Sequence, residues 1–251
     1  MPDRRRNREI PVKKHGLRRS FAAVKKGESM SQIRAVLFDM DGVLINTEPL
    51  HYRMWKETFR GRGLEIDYDI YKGCIGATDA FLMELIFKNY GRDFREDKTI
   101  EGERVAVEKR LLKEEGFPEM PGVVEMLRGL QEAGFLLAVA SSSPPVRIQE
   151  AMNYIGAKQY FSVLNSAENV AHSKPAPDIY LDTARRLGVE PAECIVLEDS
   201  ENGSIAAVSA GMICVGLKNP DSGNQNLERA RVVISSLQEF TTELIRNLSE
   251  G

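Results

Sequence analysis

Short apolar, partly β-branched runs punctuate the chain, and each stops abruptly at polar residues or glycine. Residues 33–38 run into Asp39-Met40-Asp41-Gly42, 135–140 into Ser141-Ser142-Ser143, 194–197 into Glu198-Asp199-Ser200, and 212–215 into Gly216. Runs of this length, bounded by turn residues, predict buried strands. Between them the apolar spacing turns helical. Residues 121–133, 145–155, 178–187 and 205–210 each end at a glycine, namely Gly134, Gly156, Gly188 and Gly211, as helices commonly do. Strands alternating with such helices predict an α/β fold: a Rossmann-like open parallel sheet with helices on both faces. Residues 232–234 complete it as an edge strand and 237–248 as a last helix.

One segment breaks the rhythm. From 48 to 116 the pattern predicts helices at 50–60, 79–88 and 100–115 and no strand, so it reads as a small helical cap domain inserted after the first strand. The expected core domain is then 30–47 with 117–251. In an open parallel sheet, ligands bind beyond the carboxyl ends of the strands. Three predicted strands end there in Asp39 and Asp41, in Ser141, and in Glu198 and Asp199, so one site is implied, and a cap after the first strand would hang over it.

Charge divides the chain unevenly. Of 34 basic and 37 acidic side chains, residues 1–30 hold ten and three, a net of +7, and the remaining 221 residues carry −10. So acidic a body disfavours nucleic acid as a partner. For residues 1–29, a basic arm, a transit segment and a non-native extension upstream of a start at Met30 all fit; a basic, disordered or non-native extension is expected. Cys74, Cys194 and Cys214 form no CxxC pair and read as buried thiols of a reducing compartment, which points to the cytoplasm. The longest fully apolar run, 135–140, is six residues, against about 20 for a membrane span. No membrane partner is expected.

Four carboxylates in one pocket cannot all be ionised and unpaired, since like charges and burial both favour protonation. A divalent cation resolves the conflict, and oxygen ligands without a nearby His or Cys cluster favour Mg²⁺ over zinc. With Lys174 added, the site comes close to neutral and can accept a phosphate, which Ser141 at a strand-to-helix junction is placed to meet. Taken singly, these residues have ordinary structural uses as a capping Asp, an N-cap Ser and a surface Lys.

Together, Asp39-Met40-Asp41-Gly42-Val43, Ser141, Lys174-Pro175 and Glu198-Asp199-Ser200 with Asn202-Gly203 resemble, in order, the four motifs of the haloacid dehalogenase-like (HAD) superfamily. The resemblance implies that Asp39 is the nucleophile that becomes an aspartyl-phosphate and Asp41 the general acid and base. It implies Mg²⁺ on Asp39, the backbone carbonyl of Asp41 and Asp199, with Glu198 direct or through water. Ser141, Ser142 and Lys174 would bind the transferring phosphoryl group. An acid two residues after the nucleophile sets the chain apart from dehalogenases and from transport ATPases, which leaves a phosphatase or a phosphomutase.

Within the superfamily, Thr47, His51 and Trp55 fall at the spacing of β-phosphoglucomutase, where the Thr lies in the cap hinge and the His and Trp face the sugar; Gly76 corresponds to the cap glycine. His51 and Trp55 share a helix face, which also suits packing inside the cap. Two departures favour hydrolysis. Asp79 falls near the position of an Arg that grips a second phosphate in the mutase, and Pro144-Pro145 replace Lys-Asn after the serine motif. For Arg104 in the long cap helix two placements are open, reaching into the site or lying on a solvated helix face, and the solvated face is the one expected. The resulting expectation is a monomeric or weakly dimeric Mg-dependent phosphohydrolase of a small phosphorylated metabolite, a sugar phosphate, with β-phosphoglucomutase as the alternative. A phosphate-binding protein without turnover is a further reading, disfavoured by the intact acid pair.

Overall fold

The computed structural model describes residues 32–75 and 77–250; the expected extension at 1–29 and Gly76 lie outside them. Six strands, β1 (Ala35–Phe38), β2 (Leu136–Ser141), β3 (Val163–Ser166), β4 (Cys194–Glu198), β5 (Ile213–Leu217) and β6 (Val232–Ile234), form one sheet in the order β3-β2-β1-β4-β5-β6. All neighbours are parallel. Nine α-helices accompany them among the described residues: α1 (Glu48–Gly61), α2 (Tyr68–Tyr71), α3 (Asp79–Tyr90), α4 (Ile100–Glu115), α5 (Val123–Glu132), α6 (Pro145–Tyr154), α7 (Asp178–Leu187), α8 (Glu201–Ser209) and α9 (Thr242–Glu250).

The central strands are buried on both sides, and their alternation sorts side chains into two cores. Val36 and Phe38 face one cluster with Leu127 and Leu130 of α5, Ile148 of α6 and Ile245 of α9. Ala35 and Leu37 face the other, with Ile179 and Tyr180 of α7 and Ala206 and Ala207 of α8. Residues between β1 and α5 build a third cluster of their own, in which Leu50, Met54, Trp55 and Phe59 of α1 meet Leu82 and Ile86 of α3 and Leu111 of α4. Arg62, just past α1, ion-pairs with Asp97 and Glu103 and so ties α1 to the start of α4. No described helix is long and apolar enough to cross a membrane.

Three expectations need correction. β3 was not foreseen: it is four residues long and half polar, Val-Leu-Asn-Ser, too short for a periodic signal. The predicted helix at 237–248 is a single 3-10 turn, Leu237–Glu239, followed after a break by α9. α8 begins at Glu201 rather than 205, because Ser200 caps it by accepting the Gly203 N–H, and its polar first turn hides the start.

Candidate active site

Register brings the site together. Phe38 pairs with Val139 on one side and Leu197 on the other, so the next residues, Asp39, Ala140 and Glu198, lie level at the carboxyl end of the sheet. Lys174 Nζ spans all three. It donates to Asp39 Oδ1 at 2.6 Å, to Glu198 Oε1 at 2.6 Å and to the Ala140 carbonyl at 3.1 Å. Glu198 is fully buried, yet its oxygens are well supplied. Oε1 also accepts the Tyr180 hydroxyl at 2.6 Å, and Oε2 accepts the Asp199 and Ser200 N–H groups and the Ser200 hydroxyl at 2.9–3.1 Å.

The carboxylates titrate apart. Burial raises the Asp39 carboxyl from 3.8 to about 7, against the pull of Lys174 and with help from the Glu198 and Asp41 charges. Burial, then the charges of Glu198 and Asp39, push Asp199 well above its ordinary value. Glu198 is buried too, but Lys174 and the hydrogen bonds from Tyr180 and Ser200 outweigh this and hold it below its ordinary value. Burial alone would lower Lys174; the two carboxylates keep it above its ordinary value, so it stays charged.

Asp39, Glu198 and Asp199 each offer a carboxylate oxygen within 4.8 Å of the others, and all three residues are buried. A set of buried hard oxygen donors, two of which ionise reluctantly, fits a divalent cation that would replace their protons. Two glycines make the cluster possible. A Cβ on Gly42, whose φ is +85°, would lie 1.9 Å from Asp199 Oδ2, and one on Gly203 would lie 1.8 Å from Glu198 Oε1. Ser222, in the loop after β5, holds Asp199 Oδ2 at 2.5 Å, and Asn219 in the same loop donates to the Gly42 carbonyl at 3.1 Å.

Asp41 stands apart from that cluster. Its side chain is 29 % exposed, and its oxygens accept the Thr47 hydroxyl at 3.0 Å and the Ser143 hydroxyl at 2.9 Å. Thr47 precedes α1 in helical conformation without capping it; its hydroxyl serves Asp41 instead. Ser143 is fixed in turn, since its N–H donates to Ser141 Oγ at 3.0 Å and its carbonyl accepts the Ser166 hydroxyl at 2.7 Å. That is what the unforeseen β3 contributes.

Asp39, Asp41, Ser141, Ser142, Lys174, Asp199 and Ser222 line one cavity of about 490 Å³. A second, of about 530 Å³, lies between α4 and α6 and is lined by His51, Arg104, Glu108 and Arg147; Asp41 and Ser142 border both. His51 is half-buried, 3.8 Å from Glu48. Trp55 stacks on Phe59 inside the helical cluster, with ring centroids 5.4 Å apart, and lines a small cavity of about 120 Å³ beside Asp79 and Arg104. Arg104 is not on a solvated face. It turns inward over the Trp55 ring at 5.7 Å and pairs with Glu101. Sequence reasoning missed Ser143, Arg147, Tyr180, Asn219 and Ser222; the hydroxyl repeat Ser141-Ser142-Ser143 was the one signal that could have pointed to the first.

The sequence profile of the haloacid dehalogenase-like hydrolases matches residues 33–211. Hexitol phosphatase B of Escherichia coli (strain K12) is 34% identical over 216 residues, covering 84% of this chain and 96% of that protein. The phosphorylated carbohydrates phosphatase of Thermotoga maritima is 34% identical over 219 residues, covering 84% and 98%. Among solved structures, the β-phosphoglucomutase of Clostridium difficile is similar with a TM-score of 0.68 at 26% identity, over 87% of this chain and 98% of that one.

Proposed function

The chain belongs to the haloacid dehalogenase-like hydrolases, and from that premise we propose that it is a Mg-dependent phosphomonoesterase that cleaves a sugar phosphate through an aspartyl-phosphate on Asp39. The observation that carries this reading is the contrast between two carboxylates two residues apart. Asp39 sits in a buried ionic cluster with Lys174, while Asp41 stands on hydroxyl donors where the two cavities meet. Carboxylates in such different settings suit different tasks.

In this reading Asp39 attacks phosphorus while Asp41 gives a proton to the leaving sugar oxygen. Asp41 then takes a proton from the water that cleaves the aspartyl-phosphate. Ser141 and Ser142 hold the phosphoryl oxygens, and Lys174, whose three N–H groups go to Asp39, Glu198 and the Ala140 carbonyl, supplies positive charge beside them. Asp39, Asp199 and the Asp41 backbone carbonyl would bind Mg²⁺, with Glu198, whose oxygens already accept five donors, reaching it through water. The bound cation would neutralise charge on the phosphoryl group. Residues 48–116 act as the cap domain over a core of 30–47 and 117–251, and the larger cleft receives the sugar.

Hydrolysis is favoured over mutase chemistry by the state of the cleft arginines. Arg104 pairs with Glu101 and has Asp79 3.9 Å away, and Arg147 is held by Glu108 with its second nitrogen 3.8 Å from Asp41, so both guanidiniums are directed at carboxylates rather than at a second phosphate. Relatives named as carbohydrate phosphatases agree with this preference. Incubation with β-glucose 1-phosphate and a trace of the bisphosphate separates the two: inorganic phosphate should appear, whereas glucose 6-phosphate without matching phosphate overturns the reading.

A further inference from the structure

Arg147, in the first turn of α6, reaches in two directions. One guanidinium nitrogen donates to Glu108 of α4. The other, Nη2, is enclosed without a hydrogen-bond partner among the described residues and lies 3.8 Å from Asp41 Oδ1. The side chains of Arg147 and Glu108 are 18% and 14% exposed, and the Phe117 ring lies 6.0 Å from the guanidinium. A buried donor without an acceptor is costly and calls for one elsewhere in the working cycle. Asp41 is within reach, since a shift of under about 1 Å would bring the pair to hydrogen-bonding distance.

Two helices of the cap region thus have side-chain routes to Asp41. α1 reaches it through Thr47 at its head, and α4 through Glu108 and Arg147.

We propose that Arg147 is a positioning residue for Asp41: Glu108 holds the guanidinium, and its second nitrogen fixes the carboxylate for proton transfer, so that the seating of α4 over the core sets the acid. The proposal rests on the reading of Asp41 as the general acid. As the proton passes from Asp41 to the leaving oxygen, negative charge develops on the carboxylate, and a preorganised cationic donor stabilises it. Arg147 itself exchanges no proton.

The test compares two esters. A hexitol phosphate has an alkoxide leaving group that needs the proton, whereas p-nitrophenolate leaves without one. Arg147→Met is expected to lower kcat/KM for the hexitol phosphate about ten- to a hundredfold, chiefly through kcat, and for p-nitrophenyl phosphate by only a few-fold. Glu108→Gln should lower the same ratio less, and the double variant should be no worse than Arg147→Met, because both act along one chain. Equal losses on the two esters, a change confined to KM, or additive losses in the double variant would overturn the proposal. Asp41→Asn serves as control. If it discriminates between the esters and Arg147→Met does not, the proposal alone fails; if it does not discriminate, the assignment of Asp41 as acid fails and the proposal with it.

Discussion

Lys174 carries the electrostatics of the site, because its ammonium is the one cation bonded to both Asp39 and Glu198 among the described residues. Removing one partner of a buried ion pair leaves the rest uncompensated. Tyr180 supports the same arrangement from behind: its buried hydroxyl donates to Glu198 at 2.6 Å. Tyr180→Phe is therefore expected to lower stability by about 1.5–3 kcal/mol, the usual range for a hydrogen bond to a charged group, read from urea unfolding. A midpoint unchanged from wild type would contradict this account of Glu198. The residues that could be read from the sequence, Asp39, Asp41, Ser141, Lys174, Glu198 and Asp199, are polar groups placed where apolar runs stop or, for Lys174, between an exposed His and two prolines. Ser143 shares the hydroxyl repeat that follows 135–140, but Tyr180, Ser222 and Arg147 carry no such mark. A Tyr on the apolar face of an amphipathic helix reads as core, and Ser or Arg in a polar stretch reads as surface; only strand register and loop return bring them to the carboxylates.

At the scale of elements, strand and helix spacing was legible wherever an element was long and its pattern uniform, as in α4 and α7. It failed at the four-residue β3 and at the polar first turn of α8, where cap chemistry rather than periodicity sets the boundary. The exit from α4 depends on backbone geometry. Gly116 has φ +78° and ψ −168°, which only glycine adopts readily, and a Cβ there would lie 1.8 Å from the Tyr154 ring of α6. Tyr154 in turn donates its hydroxyl to the Glu115 carbonyl at 3.2 Å. Gly116→Ala should cost about 1–3 kcal/mol from backbone strain, with displacement of Tyr154 added, and should lower activity by reseating α4. Stability within about 0.5 kcal/mol of wild type, the range of a neutral surface change, would show that this turn does not constrain the helix.

For the molecule as a whole, part of the body's acidity is concentrated in one cluster, since ligand oxygens of Asp39, Glu198 and Asp199 are gathered within 4.8 Å. Protons and metal then compete. The folded, metal-free protein keeps a proton on Asp39 up to about pH 7, while the unfolded chain releases it near 3.8. Between these values the folded state binds more protons, so this group makes metal-free stability fall as pH rises. A cation needs the ionised carboxylates, so its affinity falls as the pH drops through the raised ranges of Asp39 and Asp199. Mg²⁺ should accordingly raise the thermal midpoint more at pH 8 than at pH 6; an equal or reversed effect would contradict the assigned ligands. The candidate site residues span Asp39 to Ser222, and deletion of residues 1–29 should leave kcat/KM unchanged; an inactive truncated protein would show that the basic segment takes part.

The most direct test of the central claim is phosphate release from a generic ester, p-nitrophenyl phosphate, by Asp39→Asn beside wild type, with circular dichroism as the check on folding. An amide cannot form the aspartyl-phosphate, so a folded variant should lose at least about 10³-fold in kcat. A folded Asp39→Asn protein that retains a tenth or more of wild-type turnover would contradict the assignment of the nucleophile and the mechanism built on it.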